Sequence, residues 1–330
     1  MTRQRRLRFG VSLAPDVSAP LIRTAQDADR FGLDLLGVPD QPYRRDTADA
    51  PVLMASMLAV TSRIRVLPAV ACLPLRPPAM LAKAVATMDR MSGGRVELGL
   101  GAGASWEGIE AYGGGRLDGP AARRALEEAV QVIKLHWSDQ NGLRFHGEHY
   151  RFTAVQGGPA PVHPIGVWLG VTGPLGIDVA GRVGDGWIAP SSLVPPKRLA
   201  EGQRRLDDAA ARAGRDPAQI RRVYVLQGSI DGHARGFLHG PPRQWIYELT
   251  ELAVGHGVDT FLYGGHPERL AVFALEIVPA VRELVSTQGS APPESMAASS
   301  SPSPSQQPSV PPEPPPDPLM RLGRLPEKDG

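Results

Sequence analysis

The sequence predicts a (β/α)8 TIM barrel with a small β-hairpin insertion and a disordered C-terminal tail. Three observations predict it. Over residues 7–286, short apolar or β-rich runs alternate with segments whose apolar residues recur at helical spacing. Eight such units fit the arithmetic of this barrel. The first strand–helix junction, Ala14-Pro15-Asp16, is no phosphate loop, which counts against the rival of the same alternation, an open doubly wound sheet.

The predicted strands are Leu7–Leu13, Leu33–Val38, Ile64–Val70, Val96–Gly101, Ile165–Gly170, Gly184–Ile188, Ile220–Gln227 and Thr260–Tyr263. Three helices show their buried stripe clearly. One reads Leu81, Val85, Met88, with Met91 behind it; another reads Leu126, Val130, Ile133, Trp137; the last reads Leu270, Phe273, Ile277, with Leu284 further on. Asp118 or Gly119 ahead of Pro120, and Pro267 after His266, mark helix starts. Phe145 and Tyr150 flank a turn at His146-Gly147-Glu148-His149, which reads as a hairpin inserted before the fifth strand. From Thr287 the chain holds 12 of its 34 prolines among serines, with almost no large apolar residues. Such a stretch buries too little surface to offset its ordering entropy, so residues 1–286 are assigned to the barrel and 287–330 to the tail.

Composition narrows the function. The 330 residues are 42% hydrophobic with a net charge of +2, enough apolar matter for a large core and too little charge for a polyanion binder. Cys72 is the single cysteine, which excludes an intrachain disulfide framework and a cysteine zinc cluster. Arg3, Arg5, Arg6 and Arg8 form the one dense basic cluster and read as a solvated terminus; no basic stripe interleaved with aromatics points to nucleic acid. The run Leu7–Leu13 is too short and mixed for a signal-peptide core, and no run approaches a membrane span. The expectation is a cytoplasmic protein without membrane or nucleic-acid partners.

In such a barrel the working residues lie at the C-terminal ends of the strands. Those ends carry Asp40, Gln41, Pro42 and Tyr43 after strand two, and Ala71, Cys72, Leu73, Leu75 and Arg76 after strand three. After strand four come Gly101, Ala102, Gly103, Trp106 and Glu107; after strand five, Val171, Thr172 and Gly173. There is no close carboxylate pair, no HExxH metal set and no Gly-x-Ser-x-Gly elbow, which argues against hydrolysis. A glycine-rich, apolar mouth poor in acid–base groups suits an organic cofactor that carries out the redox chemistry. Each feature has a structural counterpart. Gly99–Gly103 fits a GxGxxA pattern only loosely, in the wrong strand for a dinucleotide fold, and reads equally as a tight corner. Asp40 reads also as a turn cap, and Cys72 as a packed small residue.

The chain resembles the bacterial luciferase-like oxidoreductases, a group that uses flavin or the deazaflavin F420. The resemblance rests on Phe9-Gly10-Val11, on Phe31-Gly32-Leu33-Asp34 through Val38-Pro39-Asp40, on Thr61-Ser62-Arg63-Ile64-Arg65-Val66, on the stretch from Asp89 to Gly103, on Gly184-Asp185-Gly186-Trp187 and on Ala213-Gly214-Arg215-Asp216-Pro217. It implies a barrel, and a cofactor, reduced FMN or F420, lying across its mouth. The ring would rest near Asp40, Ala69, Val70, Ala71, Gly101, Ala102 and Gly103, and the phosphate near Gly170, Val171, Thr172 and Gly173. Asp40 and Gln41 stand at the position of catalysis; Cys72, Leu75, Arg76, Trp106 and Glu107 would line the pocket of an apolar small-molecule substrate, with Arg76 placed to bind an anionic group. Members either oxygenate with O2 or pass hydride to and from a deazaflavin, and depend on a flavin or F420 reductase system. One departure stands out. The family often has Asp-His after strand two, and this chain has Asp40-Gln41, whose amide cannot titrate. The alternative function is therefore a catalytically lapsed flavin-binding accessory protein. A homodimer is expected, with the apolar helix Ala50–Leu58 at its interface.

Overall fold

A computed structural model describes residues 5–138 and 140–290. The strands are β1 (Arg8–Ser12), β2 (Leu35–Val38), β3 (Arg65–Pro68), β4 (Ala71–Cys72), β5 (Leu98–Gly101), β6 (Leu143–His146), β7 (Arg151–Val155), β8 (Val167–Gly170), β9 (Gly186–Pro190), β10 (Arg221–Leu226), β11 (Ser229–Ile230), β12 (His239–Gly240) and β13 (Thr260–Tyr263). The main sheet runs β3-β2-β1-β13-β10-β9-β8-β5-β4, all parallel. Its two ends meet. Val66 of β3 bridges in parallel to Val96, just ahead of β5, through Val66 N–H to Arg95 C=O at 2.9 Å and Glu97 N–H to Val66 C=O at 3.1 Å. Because β3 pairs with β2 and β4 with β5, the two short strands are halves of one stave, and the ring has the eight expected. The Ala69–Val70 peptide between them is cis.

The helices are α1 (Leu21–Arg30), α2 (Ala50–Val60), α3 (Pro78–Ser92), α4 (Trp106–Ala111), α5 (Gly119–His136), α6 (Pro174–Val183), α7 (Pro196–Arg212), α8 (Pro242–Gly255), α9 (Leu270–Val272) and α10 (Val278–Ser290), the last two joined by a π turn at Phe273–Ile277. Strand residues alternate between two layers, as a period of two requires. Leu35, Leu67, Trp168, Ile188, Val223, Val225 and Leu262 fill the barrel. Phe9, Leu36, Leu169, Tyr224 and Phe261 face the helices. Asp118 caps α5, accepting the Ala121 N–H at 2.7 Å, and β6 and β7 form the antiparallel hairpin.

Three expectations change. Met91 is 84% exposed: at about 100° per residue it falls roughly 80° off the Leu81–Val85–Met88 line. Leu284 likewise faces outward. The basic N-terminus is not simply solvated. Arg8 and Arg65 share Glu97 at 3.4 and 3.2 Å, and Arg5 and Arg221 share Asp259 at 3.8 and 3.2 Å, closing the N-terminal end of the barrel with charge pairs; Arg6 stays exposed. The tail assignment lies, from residue 291, outside the described residues; 287–290 belong to α10.

Candidate active site

The C-terminal ends of the staves frame a bowl whose floor is apolar. Ala69 and Val70 pack on the interior cluster of Leu35, Leu67, Ile188, Val225 and Leu262, yet remain partly exposed. Val70 occupies the space that side chains would take on its neighbours. A Cβ on Gly101 would stand 2.5 Å from Val70 Cγ2, and one on Gly170 2.7 Å from Val70 Cγ1. The glycines of β5 and β8 thus let the Val70 side chain settle between two staves. Gly103 has φ +99°, which side-chain-bearing residues rarely adopt, and there the chain turns from β5 toward α4 over Pro74 and Ile109.

Beside this floor sits a buried charge cluster. Asp40, 4% exposed, accepts the Cys72 N–H at 3.0 Å and two bonds from Arg76, Nε at 3.1 Å and Nη2 at 2.8 Å. Arg76 Nη2 also reaches Asp49, the N-cap of α2, so the guanidinium ties the strand-two loop to the start of that helix. The paired Asp40 raises the Arg76 pKa above its ordinary value. Arg76, placed by the sequence to meet an anionic substrate group, is here engaged with two carboxylates. Cys72 is 6% exposed, and burial, then Asp40, pushes its thiol up to about 11, so it is a packed, protonated residue rather than an open pocket wall. Ala71 faces the outer helix layer.

The other expected residues separate into rim and frame. Gln41 is half-buried; its backbone carbonyl takes the Thr47 hydroxyl at 2.8 Å. Leu75 packs under the Gly114 turn. Trp106 opens α4 half-buried, and Glu107 beside it is exposed. Ala102 is half-buried. Val171 is fixed by its carbonyl, which accepts the Trp187 indole N–H at 2.8 Å, while Thr172 and Gly173 lead into the first turn of α6. The N–H groups of that turn have no intrahelical acceptor.

Two groups had no assigned role from sequence. Tyr43 lays its ring on Gly108 of α4: a Cβ there would be 2.7 Å from the ring. Arg198 of α7 donates to Leu193 C=O at 2.8 Å and to Thr172 C=O at 3.4 Å, so a guanidinium stands beside the β8–α6 loop. No nearby residue announces that pairing; it comes from α6 and α7 starting side by side. A concavity of about 730 Å³ lies at the opposite end of the barrel, lined by Arg5, Asp207, Arg222 and Asp259. It is floored by ion pairs and receives no strand C-terminus, so the bowl is the site that the architecture favours. Among the described residues no His/Cys/Asp/Glu group could hold a metal, and no helix is long and apolar enough to cross a membrane.

A family model described as luciferase-like monooxygenase matches residues 7–231. An F420-dependent glucose-6-phosphate dehydrogenase of Gordonia bronchialis is 30% identical over 241 residues, 70% of each chain. One of Amycolatopsis mediterranei is 32% identical over 193 residues, 56% of this chain and 58% of the relative. In structure, an F420-dependent secondary alcohol dehydrogenase holding an F420–acetone adduct aligns with a TM-score of 0.74 at 20% identity, over 84% of this chain and 99% of the other. The F420-dependent tetrahydromethanopterin reductase of Methanopyrus kandleri aligns at 0.73 and 17%, over 83% and 99%. At those identities the alignments establish the barrel.

Proposed function

The chain belongs to the luciferase-like monooxygenase family, and from that premise we propose that it is an oxidoreductase working with the deazaflavin F420 on a small apolar molecule. The observation that carries this is the floor of the bowl: Val70, flanked by Gly101 and Gly170, leaves an apolar, partly exposed platform next to the buried Asp40. A planar redox ring fits such a platform, and its edge would meet the backbone of Ala69–Ala71 and Gly101–Gly103. A phosphate fits the loop Gly170–Gly173, where the first turn of α6 offers unpaired N–H groups and Arg198 offers charge. Bound there, the deazaflavin would supply hydride transfer. The chain's own residues do the rest: Asp40, locked by Arg76, fixes the rim, and Leu75 and Trp106 exclude water from the substrate side.

F420 is preferred to FMN because both relatives described above are named as F420-dependent. Reduced F420 would come from a separate F420 reductase. The test is a fluorescence titration of the purified protein with F420 and with FMN. F420 is expected to bind at least about tenfold more tightly, about 1.4 kcal/mol. FMN binding as tight or tighter, or no F420 binding, overturns the proposal. Gln41 motivates the second reading, an accessory protein: firm F420 binding with no turnover of any alcohol or carbonyl compound would favour it.

A further inference from the structure

We propose that Tyr43 is the proton donor of this mouth when hydride and a proton are added across a polarised C=O or conjugated C=C bond. This rests on the deazaflavin reading above. Hydride added to a carbonyl carbon leaves charge on oxygen, and a side chain within reach must supply a proton. The bowl offers few groups able to do so. The Gln41 amide cannot titrate. The Asp40 carboxylate is buried and takes one backbone N–H and two bonds from Arg76, and Arg76 is in turn tied to Asp49. Cys72 is buried beneath them. On α4, Glu107 and Glu110 are both exposed, and Glu110 is paired with Arg116.

Tyr43 differs from all of these. Its ring is held on the Gly108 backbone, so it is fixed between the strand-two loop and α4, the two rims that carry Gln41 and Trp106. It is half-buried, and its hydroxyl makes no hydrogen bond to any described residue. Burial, then the nearby Cys72 and Asp40, raise its pKa, and Arg44 opposes them only in part. Held at the rim with no acceptor among the described residues, the phenol hydroxyl is free to give its proton to a substrate oxygen. In the reduction, the substrate carbon gains a C–H bond with hydride from the reduced deazaflavin. The π pair moves to oxygen, which takes the Tyr43 proton, and water reprotonates the tyrosinate. Two electrons pass from cofactor to substrate.

The experiment has two arms, run on the full chain and on Tyr43→Phe and Gly108→Ala. The first follows tyrosinate formation by near-ultraviolet difference absorbance, wild type minus Tyr43→Phe, against pH, with and without F420. The Tyr43 midpoint is expected above the ordinary value of about 10, and saturating F420 is expected to shift it by about half a unit or more. The second follows oxidation of reduced F420 with acetone and with cyclohexenone across pH. Wild type is expected to lose turnover at alkaline pH; Tyr43→Phe is expected to bind F420 within about threefold of wild type, to lose roughly 10²–10⁴-fold in kcat, and to lose that alkaline fall. Gly108→Ala, which displaces the ring, is expected to lose kcat with F420 affinity kept. A Tyr43 midpoint unmoved by bound F420, or undiminished turnover in Tyr43→Phe, overturns the inference and leaves the F420 reading standing. If neither carbonyl compound reacts, the titration decides. Failure of the wild type to bind F420 overturns the reading beneath it.

Discussion

The Arg76 guanidinium holds together three things that lie far apart in the chain: the end of β2, the start of α2 and the loop after β4. Replacing it with methionine leaves the buried Asp40 carboxylate with only the Cys72 N–H. That is expected to lower the unfolding free energy by about 3–5 kcal/mol, measured by urea denaturation; a change below about 1 kcal/mol would show that the clamp is not a buried pair. Cys72 gives a second check. With a thiol pKa near 11 it should react with a thiol reagent at pH 8 at least roughly 100-fold more slowly in the native than in the urea-unfolded protein. At this scale the sequence was informative about which residues reach the mouth, because strand ends can be counted. It was silent about their partners. Asp40–Arg76, Tyr43–Gly108 and Arg198–Thr172 are contacts between segments that return to the same rim, and no local pattern encodes a return.

Strands and helices were legible because burial imposes a period on them. All eight staves fell where alternation put them, within a residue or two at most ends. What could not be read was the division of the third stave into β3 and β4, since Val66–Cys72 is one apolar run whichever partner each half takes. The glycines at the strand ends test the resulting architecture. Gly99→Ala puts a Cβ 2.2 Å from the Pro68 carbonyl oxygen, which cannot swing aside. It is expected to cost about 3 kcal/mol or more, at the upper end of single-residue effects. Gly101→Ala clashes only with the Val70 side chain, the Ala71 carbonyl lying at an ordinary 3.7 Å, so it should fold and instead lose F420 affinity, about tenfold, by pushing Val70 into the floor. Gly173→Ala meets nothing within 4 Å and should be close to neutral in thermal unfolding. Asp29 joins α1 to the turn before β3. Burial raises its carboxyl pKa, but the N–H groups of Ser62, Ile64 and Arg63 and the Ser62 hydroxyl outweigh that and hold it below the ordinary value. A depressed pKa gives stability that is present above the unfolded value near 4 and lost as pH falls through the folded one. Asp29→Asn should therefore be less stable than wild type at pH 7, with the gap closing in acid.

For the molecule as a whole, the described residues form one compact unit. A chain ending at Ser290 is expected to keep the thermal midpoint and F420 affinity of the full chain; a loss of either would give the remaining residues a part in the fold or the site. The α2 face is the place to test self-association. Val52 and Val60 are 65% and 42% exposed on an almost wholly apolar helix, and Val52→Glu should convert a dimer to a monomer in light scattering. The fold class was readable at this scale from repetition alone.

The join between Val66 and Val96 ties the divided stave, which also carries the Val70 platform, to the start of β5. Whatever docks on the platform therefore bears on the weld that completes the hoop. Deuterium uptake along residues 65–72 and 95–101 should slow first, and most, when the ring compound is added, so that filling the seat tightens the cylinder.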